Sequence, residues 1–165
     1  MNAFEYAMKL EMDGKKYYEE QAAKMADPAM INIFVELAKD EQSHYNIFKA
    51  MLEGEKPDYK AAFSTSILAT TKNVFQKMRA SGKKLGEFPA GVKIVWEKAR
   101  EIEDKSEKFY RKQADEAADK EQKAIWTTIA GEERKHWVAL DNVISFLNRP
   151  DQWLEDAEWS NMESY

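Results

Sequence analysis

The chain has 165 residues, 44% hydrophobic and 33% charged, with a formal net charge of −5. That balance fits one soluble domain with a sizeable core and excludes a disordered chain, and the acidic surplus argues against nucleic acid as a partner. No apolar run reaches membrane-spanning length and Met1 to Leu10 lacks a signal-peptide core, so a cytoplasmic location with no membrane partner is expected. The absence of cysteine excludes disulfides, thiolate-bound zinc, iron–sulfur clusters and thiol catalysis within these residues.

Taken in chain order, the first element is a helix over about 2–26, with Phe4, Ala7, Glu11, Gly14, Tyr18, Ala22 and Met25 on one stripe. Asp27 and Pro28 then supply an N-cap and a first-turn proline for a helix over about 28–53. Its stripe is Met30, Phe34, Leu37, Glu41, His44, Phe48 and Met51. Residues 54–88 are punctuated by Gly54, Pro57, Gly82 and Gly86 and read as a long crossover, with a weaker helical stretch from about Ser64 to Ala80. A third long helix covers about 89–118, with Val92, Trp96, Ala99, Glu103, Ser106, Tyr110 and Gln113 or Ala114 on its stripe. Asp119, with Gln122 in a capping pattern, opens the fourth, about 120–148. Its stripe is Gln122, Trp126, Ile129, Glu133, His136, Leu140, Val143 and Leu147. The tail, 149–165, carries Trp153 and Trp159 as packing anchors, folded over the bundle or onto a partner chain.

The 3–4 spacing of the stripes is that of packed bundles, and the short turns at Asp27 and Asp119 make each pair of helices an antiparallel hairpin. The predicted fold is therefore all-α: a four-helix bundle of two hairpins joined by a long crossover. The two hairpins also repeat. Sliding the chain by 92 residues superposes Glu11 on Glu103, Tyr18 on Tyr110, Asp27 on Asp119, Glu41 on Glu133 and His44 on His136. Two such copies pack about a pseudo-twofold axis, so the centre of each stripe faces its counterpart.

That centre should be apolar, yet in every helix it is glutamate: Glu11, Glu41, Glu103 and Glu133. One turn beyond Glu41 and Glu133 stand His44 and His136, the only histidines in the chain. A spacing of three places Glu and His on one helix face. Burying one unpaired carboxylate costs on the order of several kcal/mol, and four together could not all stay ionised. Two divalent metals would supply the compensating charge, with oxygen and imidazole donors suited to iron or manganese. One Glu from each of two helices plus Glu-x-x-His from the other two is the ligand pattern of two-metal carboxylate bundles. On that pattern Glu41 and Glu133 bridge, Glu11 and His44 complete one metal, and Glu103 and His136 complete the other. Tyr18 and Tyr110 are candidates for hydrogen bonds to the carboxylates or for proton transfer, as alternatives to purely structural tyrosines. Asp40 and Glu132 are candidates to orient a histidine of the neighbouring hairpin, or else surface groups. Gly14 and Ser106 leave either space at the site or room for close helix packing.

At these residues the chain resembles the rubrerythrins of the ferritin-like superfamily. The likeness runs through Ala7-Met8-Lys9-Leu10-Glu11 with Tyr17-Tyr18, Asp40-Glu41-Gln42-Ser43-His44, Glu103 with Phe109-Tyr110, and Glu132-Glu133-Arg134-Lys135-His136. The resemblance implies a ferritin-like, non-haem di-iron oxidoreductase that reduces hydrogen peroxide or dioxygen, commonly as a homodimer. Rubrerythrins proper carry a cysteine-bound iron in a rubredoxin domain. With no cysteine here, an external electron donor is expected. They also carry an extra glutamate one turn after the third-helix ligand, where this chain has Ser106. Iron storage with ferroxidase activity and a purely structural metal are the competing readings.

Overall fold

Backbone geometry explains where the helices begin and end. In a computed structural model, which describes residues 1–156 and 158–164, α1 (Ala3–Lys24) starts where the Asn2 side chain accepts from Glu5 N–H at 2.8 Å. α2 (Pro28–Leu52) starts at Asp27, whose carboxylate accepts from Ala29 N–H at 2.9 Å, with Pro28 in the first turn. Proline also disfavours helical backbone at the residue before it, which separates the two helices cleanly. A short α3 (Tyr59–Ala62) and α4 (Ile67–Ser81) lie within the crossover. α5 (Ala90–Glu116) and α6 (Lys120–Asn148) form the second hairpin, and Asp119 caps α6 through Gln122 N–H at 2.9 Å. α7 (Pro150–Glu155) and a 3₁₀ segment, Glu158–Ser164, follow.

The chain is all-α, with no strand among the described residues. α1 pairs with α2 and α5 with α6, and the two hairpins meet along α1 and α5. Across the bundle, the rings of His44 on α2 and His136 on α6 stack with centroids 5.8 Å apart. This is the ferritin-like arrangement. No described helix is long and apolar enough to cross a membrane.

Two apolar clusters fill the bundle. One gathers Tyr18, Phe34, Trp96, Leu140 and Phe146; the other gathers Leu10, Phe48, Tyr110, Trp126 and Ile129. Their aromatic rings are in contact: Phe34 stacks on Trp96 at 4.1 Å and Phe48 on Trp126 at 5.0 Å. Between the clusters lies a buried polar layer.

The buried faces are wider than the sequence stripes. Ile33, Ile144 and Phe146 are buried off the stripe, Phe146 against Phe75 of α4 at 5.4 Å. Ala114, not Gln113, is the buried alternative on α5, and Gln122 is exposed because it belongs to the first turn of α6. The tail folds back over the bundle: Trp153 and Trp159 set their edges against Phe75 of α4 at 5.9 and 5.7 Å. Of the predicted tail, Ala157 and Tyr165 lie outside the described residues.

Candidate metal centre

The polar layer is made by the residues that break the apolar stripes. Glu11 on α1, Glu41 and His44 on α2, Glu103 on α5, and Glu133 and His136 on α6 are each at most 1% exposed. They fall into two overlapping groups, Glu11–Glu41–His44–Glu133 and Glu41–Glu103–Glu133–His136. Within each group, one donor atom per residue lies within 4.8 Å of the others. Glu41 and Glu133 belong to both.

The histidines point the same nitrogen inward. His44 Nδ1 is 3.0 Å from Glu133 Oε1 and 3.4 Å from Glu11 Oε2. His136 Nδ1 is 3.3 Å from Glu103 Oε1 and 3.4 Å from Glu41 Oε1. Each Nε2 points away from the cluster, toward a carboxylate of the opposite hairpin. His136 Nε2 is 2.9 Å from Asp40 Oδ2, a hydrogen bond. His44 Nε2 is 3.8 Å from Glu132 Oε1, beyond hydrogen-bonding distance. Asp40 thus orients a histidine across the bundle, and Glu132 is buried beside the other rather than solvated.

The tyrosines also cross between hairpins. Tyr18 of α1 donates to Glu103 Oε1 at 2.5 Å, and Tyr110 of α5 donates to Glu11 Oε1 at 2.6 Å. Burial, reinforced by Glu103 next to Tyr18 and Glu11 next to Tyr110, holds both phenols well above their ordinary range. They are donors at any physiological pH. Gly14 sits against Glu41: a Cβ there would lie 3.2 Å from Glu41 Oε2. Ser106, at the equivalent place on α5, is buried. The neighbouring Glu107 is held outside, accepting from Arg111 Nε at 2.7 Å, so that turn sends no further carboxylate inward.

Protons can balance the charge of this layer, but its hydrogen bonding stays incomplete. Burial pushes the Glu41 and Glu133 carboxyls well above their ordinary 4.5, and the charges of Glu11 and Glu103 add to it. Burial would lower the imidazoles, but Glu11 beside His44 and Glu103 beside His136 raise both well above 6.5. Burial would likewise raise Glu103, but His136, with the hydrogen bonds around it, brings that carboxyl down to about 2. Protons therefore neutralise the metal-free cluster. Even so, Glu11 Oε2, Glu41 Oε1, Glu103 Oε2, both Glu133 oxygens and Nδ1 of both histidines have no hydrogen-bond partner. Buried polar atoms without partners are rare in folded proteins, and these seven belong to one cluster of side chains. The donor set of carboxylate oxygens and imidazole nitrogens fits a pair of iron or manganese ions.

Sequence reading did not single out Thr65 or Phe63 of the crossover. Phe63 sets its edge on the His44 ring at 5.1 Å. Thr65 donates its N–H to Glu132 Oε1 at 2.9 Å and its hydroxyl to Asp40 Oδ2. Neither lies in a long periodic segment. The one local signal was the Ser64-Thr65-Ser66 run, which also reads as an ordinary helix start.

Compared with known protein families, residues 2–144 match the family model described as Rubrerythrin. No curated protein and no solved structure matches the chain.

Proposed function

The chain belongs to the rubrerythrin family, and from that premise we propose that it is a non-haem di-iron oxidoreductase reducing hydrogen peroxide or dioxygen with electrons from an external donor. The observation that carries this reading is the pair of overlapping donor groups sharing Glu41 and Glu133. In the proposal these two carboxylates, common to both groups, would help hold both metals. Glu11 and His44 would complete the set for one metal, and Glu103 and His136 that for the other. Manganese fits the same donors, so metal identity is part of what is proposed. A homodimer, expected from the resemblance, and the cytoplasmic location expected from the sequence belong to the same reading.

Bound in this layer, two irons would deliver a pair of electrons to an O–O bond without releasing a one-electron product. The chain's own residues do the rest. The four carboxylates offset the metal charge in a region closed by two apolar clusters, which keep bulk water out. Reducing peroxide to two waters consumes two protons as well as two electrons. The Tyr18 and Tyr110 hydroxyls are protonated groups one hydrogen bond from Glu103 and Glu11, where they can hold or pass a proton. The 165 residues contain no cysteine, so no iron–sulfur or rubredoxin-type centre within them can supply electrons.

The test is stopped-flow mixing of anaerobically reduced, iron-loaded protein with peroxide and, separately, with dioxygen. The expected result is rapid oxidation of bound iron with loss of the oxidant, abolished in Glu41→Ala. Unchanged peroxide and dioxygen consumption in Glu41→Ala would overturn the proposal. Accumulation of many irons per chain would favour iron storage instead.

A further inference from the structure

The repeat makes the two halves of the site equivalent, but the crossover occurs once and cannot be equivalent to itself. Asp40 and Glu132 are repeat partners, and Thr65 touches both. It does so with different groups. The hydroxyl accepts from Ile67 N–H at 3.2 Å, which leaves its own proton for Asp40 Oδ2. The backbone N–H goes to Glu132 Oε1 at 2.9 Å.

The consequences behind the two histidines are opposite. Asp40, fixed by the hydroxyl, accepts from His136 Nε2 at 2.9 Å. Glu132 has Oε1 tied to the Thr65 backbone and Oε2 3.8 Å from the Lys135 ammonium. It stands 3.8 Å from His44 Nε2, which has no hydrogen-bond partner. A carboxylate bonded to the outer nitrogen of a metal-binding histidine fixes the ring and raises its basicity.

We propose that Thr65 is a positioning residue that makes the two metal subsites unequal, with the Glu103–His136 half the tighter. This rests on the assignment of the six side chains as metal ligands. Loss of such an outer partner typically lowers metal affinity by about 10- to 100-fold. Thr65→Val removes the hydroxyl and keeps the backbone N–H, so it should weaken one subsite by about tenfold and leave the other unchanged. Thr65→Ser should restore the wild-type pattern.

The experiment is a competition titration of the metal-free chain with Co²⁺ against a chelator, read by cobalt absorption, with melting of each metal-free variant in parallel. Wild type should bind in two unequal steps, which draw together in Thr65→Val and separate again in Thr65→Ser. Asp40→Ala, which removes the acceptor shared by the Thr65 hydroxyl and His136 Nε2, should reproduce the Thr65→Val result and decides the matter if Thr65→Val does not fold. Two wild-type steps that persist in Thr65→Val, or in Asp40→Ala, would overturn the role of Thr65 while leaving the metal centre standing. A wild-type chain that takes up no Co²⁺ would overturn the ligand assignment itself, and this inference with it.

Discussion

The first hairpin, α1 and α2, and the second, α5 and α6, bring the same residues to the same level of the bundle, yet their surroundings differ. His136 has a carboxylate hydrogen-bonded behind it and His44 does not. Glu41 has a glycine against it, while the corresponding turn of α5 carries Ser106. What the hairpins share is written in their repeat. What separates them comes from parts that occur once, above all the crossover. Sequence symmetry therefore specifies which donor atoms meet, and the connecting segments decide how firmly each is held.

The largest effect expected from breaking this comparison is at the shared residues. Glu133→Gln should abolish binding of both metals, whereas Glu103→Gln should spare the Glu11–His44 half, as metal analysis would show. Glu133→Gln should also stabilise the metal-free protein by about 1–3 kcal/mol at alkaline pH, because it removes a buried charge. A residue that weakens the empty fold and is needed only when metal is present is serving the site. Equal loss of metal in both variants would erase the distinction between shared and unshared carboxylates.

A smaller effect is the dependence on pH. Glu41 and Glu133 are raised from 4.5, and His44 and His136 from 6.5, so the folded metal-free chain holds more protons than the unfolded chain above those values. Its stability should therefore fall as pH rises from 4.5 and, for the histidines, from 6.5, toward the raised values. Glu103, brought down to about 2, works in the other direction, losing its contribution as pH falls below 4.5. Metal must displace the extra protons, so its affinity should rise with pH. The difference in melting temperature between metal-loaded and metal-free protein should accordingly be larger at about pH 8 than at about pH 6. Calorimetry showing a constant difference would contradict this.

The smallest effect separates the hairpins at one methyl group. Gly14→Ala should stabilise the metal-free helix by up to about 1 kcal/mol, since alanine favours helix over glycine and the flexible Glu41 side chain can give way. Once Glu41 is fixed by metal, the 3.2 Å approach costs more, and affinity should fall a few-fold in a chelator competition. Tighter binding in Gly14→Ala would show that Glu41 does not need that space.

Most of the fold was legible because long apolar stripes with clear caps at Asp27 and Asp119 leave little choice of partner. The six candidate ligands were legible for a related reason: a glutamate at the middle of an apolar stripe, repeated at a fixed offset, has no inexpensive structural explanation. Asp40 and Glu132 were half legible, since their spacing placed them near the histidines but could not distinguish a bond from a solvated face. Thr65 was not legible at all. Its contacts with the site depend on the path of a non-periodic segment across the bundle, which no local pattern encodes. The burial of Phe146 was hidden for the same reason, because Phe75 of α4 packs on it from outside the repeat.

In the proposed site one buried layer would hold two metals through shared carboxylates. Mössbauer spectroscopy of anaerobically iron-loaded and then oxidised protein tests it most directly. The expected result is two irons per chain in equal amounts, magnetically coupled, as metals sharing Glu41 and Glu133 would be. A single iron per chain, or two irons without coupling, would contradict it.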